Sequence, residues 1–105
     1  MAGGFAVTDY LGRQVTLSDA NWQAHIAKRP ELVPFGPHLP LTLQAPEVVI
    51  TFRGQEWFYR RTFPILQLRR VWLLVIVEYT LAGDGWVRTA WLARRLERRG
   101  VQIWP

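Results

Sequence analysis

The residue best suited to proton transfer in this sequence is His25, because histidine titrates near neutral pH. Trp22 and Ile26 have the four-residue spacing of a buried helical stripe, and Lys28 and Arg29 follow His25 closely. Like-charge repulsion from these two cations should lower the pKa of His25. A neutral imidazole can act as a general base, although a helix histidine with a purely structural role remains the alternative.

A second set of polar residues interrupts the apolar strands of the C-terminal half. Strand alternation places Arg60 on one face of its strand and Tyr59 and Arg61 on the other. Glu78 stands in an otherwise apolar strand, where a carboxylate needs a partner such as Arg88 or Arg60. The alternative is that these residues form the solvated side of a half-covered sheet.

The charge of the chain favours nucleic acid as a partner, most plausibly RNA. The formal net charge is +5, and all cations except Lys28 are arginine, whose planar fork pairs with phosphate and stacks on bases. A GC-rich genome or a thermophilic source would enrich arginine without any such role. The candidate RNA-binding residues are Arg29, Arg53, Arg61, Arg88, Arg94 and Arg95, and the aromatics interleaved with the arginines are Trp57, Tyr59, Trp86 and Trp91.

Several classes of chemistry find no support in the sequence. The chain has no cysteine, no glycine-rich phosphate loop, no nucleophile elbow and no histidine–carboxylate cluster at metal spacing, so we expect neither metal nor cofactor. The first residues lack a signal-peptide pattern, and the longest apolar run, 71–77, is too short to span a membrane. We therefore expect a soluble, cytoplasmic protein.

The elements that must position these residues begin with a predicted β-hairpin, formed by 5–7 and 14–17 around a turn at Gly12. Ser18 or Asp19 should then cap a helix that runs to about Arg29 and ends at Pro30.

The proline-rich segment 30–46 predicts a long loop, and strands follow from Glu47. Residues 71–79 form the expected central strand, 92–99 one or two helical turns, and 101–104 an edge strand. We expect one α+β domain over residues 1–105, with the hairpin and one main helix packed on an antiparallel sheet of about four strands.

Short motifs along most of the chain resemble those of small phage and bacterial toxin-like domains. These belong to the barnase–EndoU–colicin–RelE-like (BECR) ribonuclease superfamily. The matching motifs are Asp9-Tyr10-x-Gly12-Arg13-x-Val15-x-Leu17, Trp22-x-x-His25-Ile26-x-x-Arg29-Pro30-Glu31, Pro46-Glu47, Tyr59-Arg60 and Thr89-Ala90.

The resemblance implies metal-independent RNA cleavage by a helix packed on a curved sheet, with an antitoxin or immunity protein as a further partner. His25 matches the helix histidine of the family, and Arg60 and Thr89 match its basic and hydroxyl positions. Tyr59, Glu31 or Thr89 would supply the remaining proton-handling or orienting group. The family reads His-Pro-Glu where this chain has Arg29-Pro30-Glu31, so a second histidine is missing.

Two other functions fit the same residues. A non-catalytic RNA-binding module would use the arginines and aromatics without His25. A phage structural or interaction domain would use the aromatics in a protein interface and would show no affinity for RNA.

Overall fold

A mixed β-sheet forms the centre of the described chain, with two α-helices and a 3-10 helix packed on one of its faces. The structure is a computed structural model that describes residues 3–62 and 71–105. Its elements, in chain order, are β1 (Phe5–Thr8), β2 (Gln14–Leu17), α1 (Asp19–Lys28), a 3-10 helix (Pro30–Phe35), α2 (His38–Gln44), β3 (Val48–Phe52), β4 (Gln55–Arg61), β5 (Trp72–Tyr79), β6 (Gly85–Ala93) and β7 (Val101–Trp104).

The sheet of the described residues has seven strands in the order β1-β2-β6-β5-β4-β3-β7. The predicted antiparallel meander of about four strands corresponds to β3–β6, and as a description of the whole sheet it is wrong in number and direction. The hairpin β1–β2 joins β6 through a short parallel pairing, Val15 with Gly85 and Thr16 with Trp86. β7 folds back antiparallel to β3 and forms the opposite edge. The α+β class itself is confirmed.

The N-terminal hairpin and α1 form where the sequence predicts them. The Ser18 side chain accepts a hydrogen bond from the Asn21 backbone N–H at 3.1 Å, which satisfies one of the free donors of the first helical turn. Trp22 is buried beneath the helix and Ile26 packs beside it. Helix α1 ends at Lys28, directly before Arg29 and Pro30.

The loop predicted over residues 30–46 is wrong, because this segment folds into the 3-10 helix and α2. Pro30 is the first residue of the 3-10 helix and Pro37 caps α2, and Pro40 falls in the first turn of α2. A proline at the start of a helix costs little, since the backbone N–H that it lacks has no partner there in any case. Leu32, Phe35, Leu39 and Leu43 bury the apolar side of both helices.

The helices cover one face of the sheet, called here the first face. Aliphatic side chains from four strands meet the helices there, and Val15, Val49, Val75 and Val77 are fully buried. Helix propensity plays a small part in holding these short helices; burial of their apolar sides against the sheet stabilises them.

The opposite, or second, face of the sheet is crossed by residues 94–100, called here the strap. Helical turns were expected over 92–99, but β6 continues to Ala93 and the described strap contains no helix. Leu96 packs on the second-face cluster of Ile50, Tyr59, Leu74 and Ile76, and the backbone N–H of Glu97 donates to the Tyr59 hydroxyl at 3.0 Å. Tertiary contacts with the sheet thus replace the intrahelical hydrogen bonds that the arginine-rich sequence would otherwise favour.

Among the helices of residues 3–62 and 71–105, we find none with the length and apolar character needed to cross a bilayer.

Candidate functional site

A cleft of about 290 Å³ lies between α1 and β6, and we call it the α1–β6 cleft. One side of α1 and the first half of β6 line it, with Asn21, Ala24, His25, Lys28, Trp86, Val87 and Arg88. The helical period brings the four α1 positions to the same side of the helix. The cleft therefore joins an imidazole, an ammonium and a guanidinium with an indole that is 39% exposed.

His25 is half-buried in this cleft, and its environment lowers its pKa. Burial of the imidazole is the largest cause, followed by repulsion from Arg29 and then from Lys28. The predicted direction of the shift is confirmed, although burial outweighs the like-charge effect from which it was predicted. At neutral pH the ring is mostly uncharged and can accept a proton.

The Arg29 side chain connects the end of α1 with the second face of the sheet. β2 pairs with β6 only as far as Trp86, so no strand of the described chain covers the edge of β6 beyond that residue. The Arg29 side chain reaches around this edge, where Nη1 donates a long hydrogen bond of 3.4 Å to Thr89 Oγ1. Its guanidinium also lies 5.3 Å from the centre of the Trp91 ring.

Arg88 has the carboxylate partner that the sequence predicts. Its Nε lies 3.2 Å from Glu78 Oε1, which also accepts a hydrogen bond from Gln55 Nε2 at 3.0 Å. A register shift between Ile76 and Val77 places Arg88 at a β-bulge, a feature that often redirects a side chain beside a site. The Arg88 side chain is 55% exposed, and such an ion pair contributes little to stability, so its guanidinium is available to an anion.

Arg60, the predicted basic residue of the site, lies away from the cleft. It donates from Nη1 to the Ala45 carbonyl at 2.6 Å, at the end of α2. Arg60 on β4 pairs with Leu73 on β5, and Leu73 pairs with Leu92 on β6. The backbone of Arg60 therefore lies two strand spacings, or about 10 Å, from that of β6. The four residues from Leu92 back to Arg88 add about 13 Å along that strand.

The structure does not bring Tyr59 or Glu31 into the cleft either. Tyr59 is 1% exposed, its hydroxyl accepts from the strap, and burial raises the pKa of this phenol above its ordinary value. Glu31 lies exposed in the first turn of the 3-10 helix, two residues after Arg29. Of the predicted catalytic residues, His25 lines the cleft, and Thr89 lies outside its lining and contacts Arg29, four residues after His25.

An aromatic alignment on the second face could not be read from the sequence. The Trp91 and Trp57 rings lie 5.8 Å apart and those of Trp57 and Phe52 5.4 Å apart, each pair edge-to-face. Arg29 lies over Trp91 at one end, and the other end has Arg53 and Arg99 over Phe52 at 5.0 and 4.9 Å. These six residues, from β6, β4, β3 and the flanking segments, are called the arginine–aromatic row.

The other predicted RNA-binding arginines also lie outside the cleft. Arg61 stacks on Trp72 at 4.6 Å, and Arg94 and Arg95 are exposed on the strap. They extend the positive charge over the second face.

The sequence patterns also did not predict a buried polar network on the first face. Arg13 donates to both oxygens of Glu56 at 2.7 Å and from Nε to Asp9 at 2.8 Å. Its guanidinium lies 3.8 Å from the centre of the Tyr79 ring, and the Tyr79 hydroxyl donates to Asp9 at 2.7 Å. Burial and then this hydrogen bond raise the pKa of Tyr79. The Asp9–Arg13 spacing within a turn was the available signal, and the network holds the hairpin to β4 and β5.

No three histidine, cysteine, aspartate or glutamate side chains of the described ranges lie close enough to hold a metal ion together. Comparison with protein-family models, with curated proteins and with solved structures finds no significant match in any of the three.

Proposed function

We propose that this chain is a metal-independent endoribonuclease of the toxin type, which cleaves RNA in the α1–β6 cleft through the ribose 2′-hydroxyl. One observation carries the proposal. His25, Arg29 and Thr89 occupy three motif positions of the BECR resemblance; His25 lines the α1–β6 cleft, and Arg29, four residues after it, contacts Thr89 across 60 residues of sequence. A partially buried imidazole with a lowered pKa stands beside this contact.

The reaction would begin at His25. Its neutral imidazole takes the proton from the 2′-hydroxyl, and the 2′-oxygen then bonds to the adjacent phosphorus. The bond from phosphorus to the 5′-oxygen breaks, which leaves a 2′,3′-cyclic phosphate and a 5′-oxygen that must take up a proton. A general base of this kind contributes about 10²–10⁴-fold to the rate.

Arg29 and Arg88 would stabilise the additional negative charge on phosphorus. Arg88 lines the cleft and Arg29 directly follows the cleft residue Lys28, and charge-assisted hydrogen bonds to phosphate oxygens strengthen as that charge develops. Thr89 holds Arg29 at the edge of β6, so we assign it a positioning role. Trp86, which lines the same cleft, offers a ring for stacking with one base.

The described lining of the cleft has no second histidine to protonate the leaving oxygen. Arg29 stands at the position of the family's second histidine, and a guanidinium does not release its proton at neutral pH. We therefore propose that solvent supplies this proton and that cleavage is slow. Substitution of Arg29 by histidine should restore an acid at this position.

The test compares the parent protein with His25→Ala and Arg29→His on total RNA in the presence of EDTA. We expect His25→Ala to lower the cleavage rate at least 100-fold, the lower end of the range for a lost general base. Arg29→His gains an acid and loses a stabilising cation, so its cleavage rate should fall as the pH rises above the pKa of the new histidine, unlike that of the parent. Circular dichroism and RNA affinity serve as controls for folding and binding. Equal cleavage by the parent and His25→Ala would contradict the proposal.

A non-catalytic RNA-binding module is the second candidate, and a specific observation favours it. Arg60 and Tyr59, which the resemblance assigns to the site, contact α2 and the strap instead of the cleft. Binding of RNA that weakens steeply with salt, without His25-dependent cleavage, would select this function.

A ribonuclease of this type would need an antitoxin or immunity protein. Since the chain has a formal net charge of +5, we propose that this partner is acidic. Growth arrest on expression, relieved by co-expression of such a partner, would support the toxin function.

A further inference from the structure

We propose that the arginine–aromatic row is the track for single-stranded RNA that leads away from the α1–β6 cleft. The inference rests on the proposed function, in which the phosphate that reacts lies in the cleft. It adds the conformation of the substrate and the surface that selects it, neither of which follows from the cleft alone.

The row is continuous with the cleft through one side chain. Arg29 follows the cleft residues of α1, and its guanidinium contacts both Thr89 and the Trp91 ring around the edge of β6. From Trp91 the rings of Trp57 and Phe52 continue across β4 and β3 at spacings below 6 Å. A strand that leaves the cleft past Arg29 therefore meets this row next.

The chemistry of the row fits a polyanion with flat bases. The three rings are partly exposed, and guanidinium groups lie at both ends. At the Phe52 end the Arg99 guanidinium is paired with Glu97 at 2.8 Å, so Arg53 is the cation of that end without an ion pair of its own among the described residues. Exposed arginines of the strap (Arg94, Arg95 and Arg98) add further positive charge on the second face, beside the row. Aromatic rings stack with bases while arginines hold the phosphates, which is the common arrangement in proteins that bind single strands on a sheet.

The row favours unpaired RNA over a duplex. A base in a duplex is stacked on both sides and cannot present its face to a protein ring, whereas an unpaired base can. At about one base per ring, the row would accommodate roughly three nucleotides.

Two substitutions at the far end of the row test this track without disturbing the core. Arg53 has a φ of +53° and precedes Gly54 in the turn from β3 to β4, so Arg53→Asp creates the Asp-Gly pair that suits such a turn. Phe52→Leu removes the ring and retains an apolar side chain. Arg53→Asp lowers the net charge by two, and Leu11→Glu/Leu81→Glu lowers it equally at two exposed turn positions outside the row.

The measurement is fluorescence anisotropy with a 2′-O-methyl oligonucleotide, whose blocked 2′-oxygen prevents cleavage. The parent should bind the single strand at least about tenfold more tightly than the same strand annealed to its complement. Arg53→Asp and Phe52→Leu should each weaken single-strand binding on the order of tenfold. The double variant of the two exposed leucines should bind within about twofold of the parent, as expected for charges distant from the contact.

Equal affinity for single strand and duplex, or unchanged binding by both row variants, would overturn the track. So would equally tight binding of poly-glutamate, which shares the negative charge but has no bases. Cleavage of a dinucleotide, which is too short to reach Phe52, reports the cleft separately. If cleavage of the dinucleotide depends on His25 but the row variants bind the single strand as the parent does, the track is rejected and the proposed function is retained.

Discussion

The two faces of the sheet use charged residues in opposite ways. On the first face, Arg13 is held by two carboxylates and a tyrosine ring, and the Asp9 side chain at the centre of that network is 0% exposed. On the second face, the guanidinium groups of Arg53 and Arg61 stack on rings at the surface, Arg53 with the Glu97 carboxylate nearby. The ion pairs of that face, Arg88–Glu78 and Arg99–Glu97, are each formed by an arginine more than half exposed.

The difference separates charges that stabilise the fold from charges that remain available to a ligand. A buried ion pair with all its hydrogen bonds made has nothing to offer an incoming phosphate, and loss of one partner leaves an uncompensated charge in the interior. An arginine stacked on an exposed ring keeps its N–H donors in solvent. The amino-acid composition does not distinguish buried, paired arginines from exposed, stacked ones, whereas their contacts in the structure do.

The largest expected effect is on the first face. Arg13→Ala should lower the free energy of unfolding by about 3–5 kcal/mol, because it leaves the buried Asp9 carboxylate without its cation. Urea denaturation followed by circular dichroism gives this value. The matched control is Arg99→Ala, which breaks the more exposed pair with Glu97 and should cost far less stability than Arg13→Ala. Equal losses would remove the distinction between the two faces.

The next effect concerns the pH dependence of the cleft. If His25 is the general base, kcat/KM should fall about tenfold per pH unit on the acid side, with the inflection below 6.5 because the folded pKa is lowered. A pH–rate profile with a dinucleotide measures this limb. An inflection above 6.5 would contradict the assignment of His25 as base.

The lowered pKa of His25 also makes the free energy of unfolding decrease as the pH falls. The unfolded chain binds a proton at this histidine more readily than the folded chain does, so the contribution of His25 is complete above pH 6.5 and is lost as the pH falls toward the folded pKa. His25→Gln should therefore lose less stability than the parent between neutral pH and pH 5, as measured by thermal unfolding.

A smaller effect is expected where the strap meets the second face. Tyr59→Phe removes the acceptor for the Glu97 backbone N–H and should cost about 1 kcal/mol of stability. Since the hydroxyl contacts the strap and not the cleft, RNA cleavage should change less than about twofold. A loss of cleavage comparable to that of His25→Ala would assign Tyr59 to the reaction after all.

The smallest expected effect is a gain in stability. Arg53→Asn should stabilise the protein by up to about 1 kcal/mol, because asparagine adopts a positive φ more readily than arginine does. Gly54→Ala is the counterpart, since Gly54 has a φ of +75° and alanine there should lower the melting temperature. A decrease in stability for Arg53→Asn would mean that its stacking on Phe52 outweighs the turn.

Local patterns predicted local structure well. The hairpin, α1 with its Ser18 cap, and the central strand β5 follow from capping, turn and apolar patterns within short windows. A carboxylate in an apolar strand needs a partner, so Arg88 or Arg60 was predicted to pair with Glu78, and Arg88 is the one that does. In the segment 30–46, counting prolines without regard to their helical position led to the wrong element.

Features that depend on distant segments were not accessible from the sequence. The parallel pairing of β2 with β6 and the extended strap depend on contacts between residues far apart in the chain. The row is diagonal to the strands, so no periodicity along any one strand reveals it. In the candidate site, His25 was proposed from its chemistry alone, whereas the contact of Arg29 with Thr89 is visible only at the edge of β6 in the structure.

The parallel pairing of β2 with β6 also determines at what stage of protein synthesis the α1–β6 cleft can form. Its two walls are α1, made early in synthesis, and β6, made some sixty residues later, and the pairing of Val15 with Gly85 must wait for the same late strand. During synthesis on the ribosome a domain generally folds as a unit. Until β6 has left the exit tunnel, the growing chain contains His25 but no α1–β6 cleft around it, and the proposed site cannot assemble.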